Sequence, residues 1–575
     1  MTRFIVAGPL LFAALSIAPL SAQQRCPVAD HAPLPLKYSG APTVAAITPC
    51  DLMTRLYQFS DDSMQGREVG TEGHLRATAW IERQARQLGL KPAGDSGTYF
   101  QNIPVVMRTF DTASTVTVAG TTWHTDDFVA QTPGAQHQFA NTPTIFVGKL
   151  LDTTAIVPVD QARGKVLIFL PPDQGVDADA IEATAAFQRW YLMYQSGAGR
   201  VIIAGYQLPD GILKASMTEG SLSFTGDEQP VELVTTVRLA EAMLGTPLGS
   251  AIKGALGKTV TSDVRFHDEP RPGRNVVAIL PGSDPLLRNE YVAIGAHNDH
   301  LGIADSAVDH DSLRLYNAIA RPEGADGGAS KPLTVPQWAQ LHLALDSLHK
   351  LHGGARRDSI LNGADDDGSG SVSVLEIAQA FALGPLKPKR SILFIWHAGE
   401  EKGLWGSEYF TDHPTVPRDS IVAELNMDMV GRGQPADVTG TTKDGQIIHG
   451  SSNYLQIIGS RRLSTELGDL VESVNREAGL GITFDYALDA DGHPEDIYCR
   501  SDHAEYARYG IPIAFFTTGG HEDYHQVTDE AQYIDYSHMA TVDQLVFDVA
   551  LKVANLAHRV VVDHPKPDPH GVCQQ

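Results

Sequence analysis

Between Asn275 and Gly519 the chain alternates between short, continuous apolar runs and stretches of helical period. The runs are NVVAIL after Arg274, EYVAIGA before His297, SILFIW (Ser391 to Trp396), SIVAELNM (Ser420 to Met427) and IPIAFFTTG (Ile511 to Gly519). Continuous rather than alternating apolarity marks strands covered on both faces. NVVAILPG and EYVAIGAH are expected as strands joined by a turn at Gly282 to Pro285. Helical spacing appears at Leu375, Ala378, Phe381 and Ala382, and again at Val542, Leu545, Val546, Val549, Val553 and Leu556. Strands alternating with helices predict an α/β fold, a central and mostly parallel sheet flanked by helices.

Earlier segments differ. Thr78, Ile81, Ala85 and Leu88 predict a helix that Gly89 ends, after the turn-rich SMQGREVGTEGH. Residues 115–265 read as a separate β-rich unit, with TPTIFVG, GKVLIFLP and GRVIIAGY as strands and a helix over Ala180 to Tyr194. It interrupts a larger domain made of 51–114 and 270–560. Within the latter, 303–362 is long for a connection, which suits a functional insertion or lid as well as a surface decoration. It contains a helical stretch, Val335 to Leu351. Residues 23–50 form an arm and 561–575 a Pro-rich tail.

The first 22 residues have the form of an export signal: Arg3, an apolar Phe4 to Leu20, and Leu20-Ser21-Ala22 as the cleavage site. That predicts a periplasmic or extracellular protein with no other membrane association. Cys26, Cys50, Cys499 and Cys573 are then free to form two disulfides, with three pairings open. A 575-residue chain exceeds one hydrophobic core. A net charge of −25 argues against nucleic acid and anionic membrane surfaces as partners. Nothing in the sequence speaks to oligomeric state.

In parallel sheets, chemistry collects beyond the C-terminal strand ends. Here His297-Asn298-Asp299 follows EYVAIGA, Asp365-Asp366-Asp367 follows the next connection, and Glu400-Glu401 follows SILFIWHAG. Asp428 follows SIVAELNM, and His521 to His525 follows IPIAFFTTGG. These clusters predict a metal centre. Histidine and carboxylate without thiolate suit zinc, less often manganese or cobalt, in an open catalytic site. Two divalent ions against Asp366, Glu401 and Asp428 leave one positive charge, which a bridging hydroxide would neutralise. Glu401 is then a ligand, Glu400 a general base, and Asp299 a residue that orients His297.

The runs AHNDHLG, NGADDDGSG, GEEKGLWGSEYF, NMDMVG, CRSDHAEYARYGIP and YHQVTDE resemble the co-catalytic di-zinc peptidase family, which embraces aminopeptidases, glutamate carboxypeptidases and glutaminyl cyclases. The resemblance implies two zinc ions, one on Asp366, Glu401 and His525 and the other on His297, Asp366 and Asp428, with Glu400 as base. Residues 115–265 resemble a protease-associated (PA) domain through IFVG, RGKVLIFL and SGAGRVIIAG. His397 and the length of 303–362 depart from the family pattern. The implied activity is removal of N-terminal residues from peptides. Met429, Tyr524 and, less directly, Phe516 are candidates for the substrate pocket. A carboxypeptidase or dipeptidase would need a cation for the substrate carboxylate, for which Arg432 and Arg500 are placed. A glutaminyl cyclase and a non-enzymatic binding protein are the remaining alternatives.

Overall fold

The computed structural model describes residues 26–30, 34–40, 43–130, 138–149, 157–170, 199–203, 220–225, 231–325, 330–571 and 573–575. The expected signal segment and the expected helix over Ala180 to Tyr194 lie outside these.

Four parallel strands form the centre of a nine-stranded sheet: Ser391–His397, Tyr291–His297, Ile421–Met427 and Ile513–Thr517, in that spatial order. The Arg274–Leu280 strand pairs antiparallel on the outer side of Ser391–His397, so it does not lie next to the strand that follows it in sequence. On the other side Tyr454–Ile458 pairs antiparallel with Ile513–Thr517. The sheet is therefore parallel where the apolar runs are longest and mixed at its margins.

Successive side chains of a strand point to opposite faces. Val292, Ile294 and Ala296 enter one core with Ile392, Phe394 and Trp396, while Ala293, Leu393 and Ile395 enter another. Both faces are covered, which is why these strands read as unbroken apolar runs. Helices roof the first core, among them Pro49–Phe59, Glu72–Gln87, Gly370–Leu383, Thr465–Ala478 and Tyr536–Asn555. Phe381 meets Phe547 there with ring centroids 4.3 Å apart. Truncating either ring would cost about 3–5 kcal/mol.

The β-rich unit leaves and rejoins the larger body through one antiparallel ribbon. Val105–Phe110 pairs with Phe266–Arg271, Val105 opposite Arg271 and Phe110 opposite Phe266. Between them lies a second, eight-stranded sheet with its own core, including Val116, Phe128, Phe146, Ile168 and Leu233. A third strand on the ribbon, Ser221–Phe224, carries Phe224 onto Trp405, with Val69, Ile103 and Ala398 alongside. Residues 303–362 form a smaller ribbon, Gly302–Asp309 against Arg357–Leu361, bearing the helices His310–Ala320 and Val335–His352.

The cysteines pair as Cys26–Cys50 and Cys499–Cys573. The first ties the N-terminal arm to the Pro49–Phe59 helix and the second ties the tail to the 499 region. Sequence separations of 24 and 74 residues make them worth about 3.5 and 4.5 kcal/mol by loop-closure entropy. No helix of the described residues is long and apolar enough to cross a membrane.

Asp543, on the last helix, is fully buried beside Ser373 and Arg55. Burial pushes its carboxyl up to about 8, although Ser373 and Arg55 both pull it down. The folded protein thus keeps a proton that the unfolded chain, with a carboxyl near 3.8, releases. The stability that this group contributes must therefore be lost as pH rises from about 4 to about 8. Asp543→Asn removes this loss, so the drop in melting temperature between about pH 5 and pH 8 is expected to be smaller in the variant. Identical pH profiles for parent and variant would contradict it.

A candidate two-metal centre

The parallel strands all end at the same edge. His297 is the last residue of its strand, Glu400 and Glu401 form a tight turn just beyond Ser391–His397, and Asp428 directly follows Ile421–Met427. The loop to His525 follows Ile513–Thr517. The Ala364–Ser369 turn delivers Asp366 from above, at the head of the Gly370–Leu383 helix.

Asp366 sits between two sets of donors. Its Oδ1 is 3.1 Å from His297 Nε2, which lies 3.7 Å from Asp428 Oδ1. Its Oδ2 is 3.0 Å from His525 Nε2, which lies 3.1 Å from Glu401 Oε2. His300, absent from the sequence-derived ligand set, joins the second cluster: its Nδ1 is 2.5 Å from Glu401 Oε1 and 3.7 Å from Asp366 Oδ2. By mutual distance of donor atoms, His297, Asp366 and Asp428 form one metal-competent group, and His300, Asp366 and Glu401 another. His300 holds the Glu401 oxygen opposite the one that meets His525, so it buttresses that carboxylate as well as approaching the site. Its only sequence signal was three-residue spacing from His297 just past a strand end.

The turn carrying Asp366 is held from all sides. Asp529 accepts the backbone N–H groups of Asp365 and Asp366 at 3.0 and 3.1 Å. Asp367 accepts from His297 N at 3.0 Å, Gly370 N at 2.8 Å and Met429 N at 3.2 Å. Asp365 accepts from Gly431 N at 2.7 Å and faces His521 Nε2 at 3.2 Å. Asp365 and Asp367 thus support the turn, and both are fully buried. Arg67, fully buried, donates to the carbonyls of Asn362 and Gly363 at 2.5 and 2.8 Å. Gly363 has φ +52°, and a Cβ there would lie 2.2 Å from Asp366 O and 2.5 Å from the His300 ring.

Electrostatics separate the carboxylates. Burial alone would raise Asp366, but the adjacent imidazoles of His297 and His525 hold it well below the usual carboxylate range. Glu400 is raised well above its usual value by burial, reinforced by the charges of Asp428 and Glu401. Its Oε2 lies 3.9 Å from His297 Nε2, outside hydrogen-bond reach, and its backbone N–H donates to Asp299 Oδ1 at 3.3 Å. Asp299 also faces His297: Nδ1 is 3.2 Å from the Asp299 carbonyl and 3.7 Å from its carboxylate. On the Asp428 side, Ser501 donates to Asp428 Oδ2 at 2.8 Å and is itself held by Asn426.

The donor set fits cations. His297 Nε2, His300 Nε2 and Asp366 Oδ2 are buried without a hydrogen-bond partner. Buried carboxylates in this number are stable only when paired or coordinated.

Other expected residues are placed as follows. Tyr524 stacks on the His525 ring at 3.9 Å. Met429, with φ +58°, lies at the start of the loop after Asp428. Phe516 is wholly buried in the main core. Arg432 is buried and spends its charge on Asp523 at 2.9 Å, with Glu522 and Asp437 near. Arg500 is exposed. His397 is part of a different buried network, bonded to Tyr506 Oη at 2.9 Å and facing Asp502 at 3.3 Å.

Asp366→Asn should release metal from both groups at once. More than about 100-fold loss of zinc affinity is expected, beyond the effect of losing an outer partner. Equilibrium dialysis against zinc tests this, and retention of one tight ion would show that Asp366 does not bridge.

A sequence model of peptidase family M28 matches residues 342–550. Leupeptin-inactivating enzyme 1 of Streptomyces exfoliatus is 31% identical over 185 residues, covering 32% of this chain and 35% of that protein. Leucine aminopeptidase 1 of Coccidioides posadasii is 31% identical over 221 residues, 35% of this chain and 51% of that protein. The chain thus spans about a third to a half of the length of these curated relatives. Among solved structures, the aminopeptidase from Aneurinibacillus sp. strain AM-1 aligns over 90% of this chain and 97% of its own, at 16% identity and a TM-score of 0.43. Over residues 342–550, which carry Asp366, Glu400, Glu401, Asp428 and His525, the chain is similar to peptidase family M28.

Proposed function

We propose that this chain is an exported two-zinc aminopeptidase. The observation that carries the reading is the convergence of His297, Asp428, Asp366, Glu401 and His525 around a shared carboxylate, with Glu400 beside them and outside hydrogen-bond reach of the histidines. His297, Asp366 and Asp428 would hold one ion, and Asp366, Glu401 and His525 the other, with His300 fixing Glu401. When bound, such a pair of ions polarises a carbonyl and lowers the pKa of water.

The chain's own groups do the rest. Glu400 is partly buried, beside Glu401 in sequence and 3.9 Å from His297 Nε2. That suits a base that accepts a proton from the attacking water and returns it to the leaving amine. Asp299 fixes Glu400 through its backbone N–H and faces the imidazole of His297, so both groups keep one orientation. The Phe224–Trp405 contact sets the β-rich unit against the segment just beyond Glu400. We assign that unit the part of a PA-type module shaping access to the site. Met429 and Tyr524, next to ligands, are the residues we assign to the first side-chain pocket.

A free N-terminus is favoured over a free C-terminus by charge. The groups at the site are acidic, and the buried cation nearest the ligands in sequence, Arg432, is matched by Asp523. The relatives named leucine aminopeptidase support the same direction. Exported status rests on the leader-like first 22 residues and agrees with the two disulfides.

Peptides with free, N-acetylated and C-amidated ends, digested and mapped by mass spectrometry, test the reading. Loss of the first residue is expected from free and C-amidated peptides and not from N-acetylated ones. Cleavage confined to peptides with a free C-terminus would overturn it. Glu400→Gln is expected to lower kcat by about 10²–10⁴-fold with zinc content unchanged. Normal turnover in that variant would remove Glu400 from the chemistry.

A further inference from the structure

His525 is carried on a loop without regular structure. The loop follows the Ile513–Thr517 strand, and His525 itself has φ +56°. The neighbours of a metal ligand on such a segment help to set its place. On one side these come from the body of the domain: Arg432 reaches Asp523 Oδ2 at 2.9 Å, and His521 faces Asp365. On the other side they come from the 303–362 insertion.

Arg314, Asn317 and the Gly324–Ala325 turn make that second side. Arg314, on the His310–Ala320 helix, donates from Nη2 to Glu522 Oε1 at 2.8 Å and from Nε to Asp523 Oδ2 at 3.2 Å. Its guanidinium also lies 3.9 Å over the Tyr533 ring. Asn317, on the same helix, donates to the Glu522 carbonyl at 3.3 Å. Ala325 N–H donates to the Tyr524 carbonyl at 3.0 Å. The turn before it packs so closely that a Cβ on Gly324, at φ +82°, would stand 2.5 Å from Tyr524 O and 3.0 Å from His521 O. Asp523 has no solvent exposure and shares one oxygen between Arg314 and Arg432. Every residue from His521 to Tyr524 is therefore held or walled by the insertion. Tyr524 passes this on, its ring stacked on that of His525 at 3.9 Å.

We infer that the 303–362 insertion is a positioning element for the metal group that includes His525, with Arg314 and the Gly324–Ala325 turn as its working contacts. This rests on the two-zinc reading above. Arg314 acts on the centre through Glu522 and Asp523, without touching it. Loss of these contacts should leave the His297–Asp366–Asp428 group in place, because His297 and Asp428 come from strand ends and the Asp366 turn is held by Asp529, Asp365 and Asp367.

The test is stepwise zinc binding by the full-length chain, measured by competition with a chromophoric chelator, alongside thermal melting of the zinc-free protein. The parent is expected to bind two ions. Arg314→Met should weaken one of the two sites by about 10–100-fold and leave the other within about threefold, the range seen when an outer partner of a metal ligand is lost. Arg314→Lys, which keeps one charged donor, should recover part of that loss. Gly324→Ala, which pushes on Tyr524 from the opposite direction, should weaken the same site and provides a second route if Arg314→Met folds poorly. Leu343→Ser, on the exposed side of the insertion's second helix, should bind zinc like the parent. The inference fails if Arg314→Met and Gly324→Ala lower the melting temperature while both zinc affinities stay at the parental values, or if both sites weaken equally. A parent that binds fewer than two ions defeats the two-zinc reading itself, and the inference with it.

Discussion

The burial of the Asp365-Asp366-Asp367 turn is the constraint on which the rest of this site depends. Three consecutive carboxylates are removed from water, and each must find a partner or carry a large desolvation cost. The fold meets this by giving them different partners. Asp367 is used up by backbone N–H groups of His297, Gly370 and Met429, and Asp365 by Gly431 and His521. Only Asp366 is left aimed at the histidines. The same contacts tie the turn to the two strand-end segments that supply His297 and Asp428, so the ligands and their scaffold are assembled together.

Distant parts of the chain complete that assembly. Arg67 brings a buried cation from the N-terminal part of the domain to the carbonyls leading into the turn. Asp529, from beyond the last central strand, closes it from the other side. Burial and neighbouring Asp365 push the Asp529 carboxyl up to about 6, although His521 opposes them. The turn is thus a junction of four chain segments, and its geometry is over-determined. The His525 loop is the opposite case. It has one partner face in the domain body and another in the insertion, which contacts Glu522, Asp523 and Tyr524 just before His525.

Much of this was legible in the sequence. The strands that form the middle of the sheet are long, unbroken apolar runs, and their pattern reflects burial on both faces. Because parallel strands end together, the His, Asp and Glu residues just past each run had to converge, and the distances bear that geometry out. In the adjacent pair Glu400-Glu401, Glu401 lies 3.1 Å from His525 Nε2 and Glu400 lies 3.9 Å from His297 Nε2. What escaped notice were residues whose partners are remote in sequence. Arg67 lay in a segment read only as turn-rich, Asp529 at the end of a motif, and His300 in a run where His297 drew the attention. Arg432 looked like a spare cation until Asp523 was found against it.

The sequence by itself determined the α/β class and placed the His, Asp and Glu clusters just past the apolar runs, with a β-rich texture over 115–265. Those follow from local period and from the common direction of parallel strands, and both are properties of short stretches. Only the tertiary structure decided which of three neighbouring aspartates faces the histidines, which cysteines pair, where Arg432 spends its charge, and that 303–362 grips the His525 loop. Each of these depends on a contact between segments tens to hundreds of residues apart. No local pattern encodes such a contact; it exists only once the burial of one group forces another to meet it.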